Sequence, residues 1–81
     1  MPDENQVSLA KMRAGQSGTI LNIDGGHGMV TRLNTLGIVP GKRITKISSI
    51  MMGGPVTIEI DRAQVALGFG MARRILVRLI K

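Results

Sequence analysis

Glycine and proline punctuate this chain too densely for long helices. Eleven glycines and three prolines are spread through 81 residues, and each favours a turn or an element end. What lies between them must be short. "GTILNI" (18–23) is rich in β-branched and apolar residues and predicts a first strand. "DGGHG" (24–28) reads as a turn. From Met29 the period changes: Val30, Leu33 and Leu36 are spaced by three, and Met29 and Leu33 by four, which places them on one stripe of a short helix. Gly37 stands where a helix-ending glycine belongs, and Pro40-Gly41 turns the chain into a strand over 42–50. After "MMGGP" (51–55), "VTIEI" (56–60) alternates apolar and polar residues as a half-buried strand does. Asp61-Arg62 turns into a strand over 63–67. "GFGMARR" is a glycine-flanked turn before a last strand over 75–79. At the front, Ser8 is placed to cap one helical turn that carries Leu9 and Met12, and residues 1–7 are expected to be flexible. The expectation is one domain over 8–81: mainly β, a small barrel of about five strands with a helical insertion after the first.

Composition narrows the function classes. The chain has no cysteine, so neither a disulfide framework nor a thiolate metal site is available. No apolar run approaches the roughly 20 residues of a membrane helix, and the acidic, polar start is unlike a signal peptide; a cytoplasmic setting is expected, with no direct membrane insertion. The net charge of +6 suits an acidic partner, although a merely solvated basic surface accounts for it equally well. Phe69 is the one aromatic residue, which leaves no platform for stacking single-stranded bases.

The motifs that suggest chemistry fail on spacing or context. "GIVPGKR" (37–43) has a three-residue spacer where a phosphate loop needs four, Arg43 where the magnesium-binding hydroxyl belongs, and a helix leading in where a strand should. "GFGMAR" (68–73) lacks the third glycine of a dinucleotide fingerprint. His27 with Asp24 makes two metal ligands, not a structural set. Glu59 and Asp61 share a strand face without a nucleophile or base nearby. No enzyme and no cofactor are predicted. Met51 and Met52 form an adaptable pair suited either to a partner or to packing.

Taken in order, "SLAKMRAGQSGTI", "RLNTLGIVPGKRI", "GGPVTIEI" and "ALGFGMARRILV" resemble the FeoA family over nearly the whole chain. The matching positions are Leu9, Gly15, Arg32, Leu33, Leu36, Gly37, Pro40, Gly41 and Ile44, then Gly54, Pro55, Ile58, Ala72, Ile75 and Val77. The resemblance implies an SH3-like barrel. It also implies an accessory or regulatory role in bacterial ferrous iron uptake, through contact with the cytoplasmic GTPase region of a FeoB-type membrane transporter. The same fold forms the C-terminal domain of iron-dependent repressors, so a stand-alone domain of that type is one alternative, and a small-barrel nucleic-acid-binding protein is the alternative from another class. Exposed strand edges would also permit weak self-association.

The partner surface is expected along 29–42. A spacing of three falls 60° short of a full helical turn, so one end of the Val30, Leu33, Leu36 stripe leaves the core. Leu33 is the expected shared residue, and Arg32, Lys42 and Arg43 the positive rim, with Leu36, Met51 and Met52 as further contacts.

Overall fold

The computed structural model describes residues 5–49 and 54–80. One six-stranded antiparallel sheet runs in the order β1-β6-β2-β3-β4-β5. Its strands are β1 (Gln6–Ser8), β2 (Ser17–Ile23), β3 (Arg43–Ser49), β4 (Val56–Ile60), β5 (Ala63–Leu67) and β6 (Ile75–Leu79). A 3-10 turn, Leu9–Lys11, follows β1; helix α1 (His27–Thr35) joins β2 to β3; and helix α2 (Phe69–Ala72) precedes β6. Mainly-β architecture with a helical insertion is what the punctuation predicted.

Four details depart from the sequence reading. Gln6 and Val7, expected within a flexible terminus, pair with Arg78 and Val77, so six strands form rather than five; a three-residue strand carries too little periodicity to announce itself. Ser8 occupies the N-cap position of the 3-10 turn, yet its side chain makes no capping hydrogen bond. Helix α1 starts at His27, inside the expected turn, with Gly26 at its N-cap. "GFGMARR" also folds further than a turn, because Gly68 accepts from the backbone N–H groups of Met71 and Ala72 and opens α2.

Two bulges bend the sheet. Leu21 is the extra residue on β2 between the pairs Ile20–Val77 and Asn22–Leu76. Ile47 is the extra residue on β3 between Lys46–Ile58 and Ser48–Thr57. Each raises local twist and curvature, which lets one sheet wrap a core of Leu9, Met12, Ile20, Leu33, Ile38, Ile44, Val56, Ile58, Ile60, Leu67, Ala72, Ile75 and Val77. Where β2 and β6 come closest, Gly18 is obligatory. A Cβ there would lie 2.3 Å from Val77 Cγ1 and 2.7 Å from the Arg78 carbonyl oxygen, inside any real carbon contact. The curled sheet is a small, SH3-like barrel whose edges, β1 and β5, are not neighbours in the ladder.

A helix end, a buried lysine and a basic groove

The stretch that looked like half of a phosphate loop ends a helix instead. Leu36 is the C-cap of α1 and Gly37 follows with φ +85°, a left-handed conformation that glycine adopts without a Cβ penalty. The Ile38 N–H donates to the Leu33 carbonyl at 2.9 Å and the Gly37 N–H to that of Asn34 at 2.9 Å. These are the two bonds of a Schellman motif, whose usual companion is an apolar contact between the same outer residues. Here those residues, Leu33 and Ile38, are both fully buried.

This geometry sorts the predicted contact residues. Leu33 is 0% exposed, which corrects its expected shared role: it cannot meet a partner without opening the core. Leu36, one turn on, is 44% exposed, so the stripe does run off the core at this end. Arg32 is exposed in the last turn of α1, where a cation complements the helix dipole. Lys42 Nζ donates to Asp61 Oδ2 at 2.8 Å across the surface, so part of its charge is answered within the chain. Asp61 Oδ2 would also lie 3.9 Å from a Cβ on Gly37; the helix end and the β4–β5 turn are therefore neighbours. Arg43 is exposed at the start of β3, opposite Thr19. Pro40 is exposed, Gly41 takes φ +93°, and its N–H donates to the Ile20 carbonyl at 2.8 Å. Gly54 and Pro55 lead into β4; Met51 and Met52 lie outside the described residues.

His27 and Asp24 are both exposed, and among the described residues no group of three or more His, Asp or Glu side chains stands close enough to hold a metal ion.

Sequence reasoning missed Lys46. It is 2% exposed. Its Nζ donates to the carbonyls of Leu9 (3.3 Å), Ala10 (3.1 Å) and Met12, tying the end of the 3-10 turn to β3. Burial lowers its pKa by disfavouring the charged form. A signal existed: Lys46 shares strand parity with the inward Ile44.

A shallow groove of about 570 Å³ opens at the other end of α1. Ser8, Leu76 and Asn22 form one row across β1, β6 and β2, and Lys11, Arg73, Arg74 and Asp24 border it. Asp24 N–H donates to the Arg74 carbonyl at 2.8 Å.

A model of the FeoA domain family matches residues 7–79. The chain belongs to the FeoA family. It is 28% identical over 74 residues to the Fe(2+) transport protein A of Campylobacter jejuni, spanning 91% of this chain and 100% of that one. With the Fe(2+) transport protein A of Methanocaldococcus jannaschii it shares 33% identity over 69 residues, covering 85% and 82% of the two chains. The crystal structure of a FeoA iron uptake regulatory protein superposes with a TM-score of 0.87 at 35% identity, covering 93% of this chain and 99% of that one. A manganese-dependent transcriptional repressor superposes equally well, TM-score 0.87 at 27% identity, but this FeoA domain spans 45% of its length.

Proposed function

We propose that this FeoA domain is an accessory protein of ferrous iron uptake that acts by binding the cytoplasmic GTPase region of a FeoB-type transporter. Family membership and relatives named for Fe(2+) transport support the iron system. The contact is centred on the C-terminal end of α1. The observation that carries this is the exposed Leu36 beside a fully buried Leu33: the Schellman bonds fix the backbone where the leucine points outward, so docking has only its side chain to order. Arg32 and Arg43 supply positive charge near it and speed encounter with an acidic surface more than they add affinity. Lys42 contributes less, being paired with Asp61. Met51 and Met52 are a second candidate contact on the strength of methionine's adaptability. The role requires no chemistry of the domain's own, only a fixed surface.

The test compares Leu36→Ala with Leu33→Ala, measuring thermal unfolding and pull-down of the transporter's cytoplasmic region. Leu36→Ala should leave stability within about 0.5 kcal/mol, as exposed substitutions do, and weaken capture by roughly 2 kcal/mol if it is a hot spot. Leu33→Ala should lose about 2 to 5 kcal/mol of stability. Undiminished capture by the folded Leu36→Ala variant would remove this surface from the reading.

A further inference from the structure

We infer that the groove across β1, β6 and β2 is a docking site for an extended, acidic peptide segment of a partner. Three cations, Lys11, Arg73 and Arg74, border it against one carboxylate, Asp24. Among the described residues none of the three has a carboxylate within ion-pair distance. Arg74 Nη1 reaches only the Asp24 carbonyl, at 3.5 Å, and Lys11 and Arg73 are exposed. By contrast, Lys42 is paired with Asp61 near the C-terminal end of α1. Arg13, Arg32, Arg43 and Arg62 are likewise exposed with no carboxylate partner among the described residues, but Lys11, Arg73 and Arg74 differ in lining one concavity together.

The floor decides between acidic ligands. Half-buried Leu76 lines it among the cations and gives an aliphatic patch beside positive charge, while the Ile75 side chain is fully buried in the core. Single-stranded nucleic acid would want an aromatic face to stack a base, and Phe69, the one aromatic residue, is not among the lining residues. An extended peptide alternates its side chains every second residue. It can lay apolar groups on Leu76 while glutamates or aspartates reach Lys11 and Arg73. The row from Ser8 to Asn22 crosses three strands, roughly 10 Å, which an extended chain spans in about three residues. This site is independent of the α1 surface and of what protein meets it.

Lys11 and Arg73 are the residues to alter, since neither side chain donates a hydrogen bond within the described structure and both are exposed. The 15N-labelled chain is titrated with a blocked peptide of alternating glutamate and leucine, with its glutamine counterpart, and with a single-stranded oligonucleotide of similar length. Binding should shift the amides of Ser8, Lys11, Asn22 and Arg73 to Leu76, and the glutamine peptide should bind at least about tenfold more weakly, a difference of 1.4 kcal/mol. Lys11→Gln/Arg73→Gln should lose about tenfold in affinity. Arg62→Gln, which removes one cation at the β4–β5 turn, should change it less than about twofold. The single variants Lys11→Gln and Arg73→Gln serve if the double variant unfolds. Equal losses in groove and turn variants, shifts clustered elsewhere, or tighter binding of the oligonucleotide in the same groove would each overturn the assignment.

Discussion

Lys46 carries a charge into the barrel and spends it on backbone carbonyls. The three carbonyls it serves are those of Leu9, Ala10 and Met12, at the end of a 3-10 turn in which Leu9 also accepts from the Met12 N–H at 3.2 Å. Lys46→Met keeps the shape and removes the donor. Leaving buried acceptors unpaired costs about 1 to 3 kcal/mol, only partly offset by relief of the lysine's desolvation, so chemical denaturation should show a net loss of about 2 kcal/mol. The pH dependence has a defined sign. The folded pKa lies below the ordinary 10.5, at which the unfolded chain titrates. Well below the lowered value both states hold the proton. Between it and 10.5 the unfolded chain binds a proton that the folded chain has released, so unfolding free energy rises with pH across that window. The wild type should gain on Lys46→Met as pH approaches 10.5, and parallel curves for the two proteins would refute the linkage.

At the level of elements, α1 and the β4–β5 hairpin show what local pattern can and cannot disclose. The helix stop at Gly37, the turn at Pro40-Gly41 and the alternation of 56–60 were legible because each depends on residues adjacent in sequence. Helical drift predicted that one end of the Val30, Leu33, Leu36 stripe would leave the core, but neither that Leu36 is that end nor that Leu33 is fully buried, because burial depends on residues distant in sequence. The groove was invisible for the same reason: Lys11, Asn22 and Arg73 meet only through the β1–β6–β2 ladder. Asp61 and Arg62 connect β4 to β5 with φ of +50° and +68°, the positive pair that a two-residue hairpin turn requires. Asparagine, aspartate or glycine suits that conformation; arginine does not. Arg62→Gly should therefore raise the thermal midpoint, by the equivalent of roughly 0.5 to 1 kcal/mol once the added freedom of the unfolded chain is discounted. A lowered midpoint would mean that the arginine side chain contributes more than its backbone costs.

For the whole molecule, the charge of +6 guarantees some attraction to polyanions, and the question is how it scales with salt. Generic association neutralises phosphates and releases counterions, so affinity falls steeply with ionic strength. Anisotropy with duplex and single-stranded probes should show binding at about 20 mM salt that is lost by about 150 mM; tight binding retained at the higher salt would favour the nucleic-acid alternative over a protein partner. The order of the ladder has a further consequence, one for biosynthesis. Val7 faces Val77, so the first strand to leave the ribosome must wait for the last before its hydrogen bonds can close. Pairings of such long range are slow to form because loop closure precedes any reward. Until β6 emerges, β2 lacks one neighbour and β1 its only one, and the nascent chain presents open strand edges and core side chains together. Folding of this domain therefore cannot finish before β6 has emerged, and until then the nascent chain is open to aggregation.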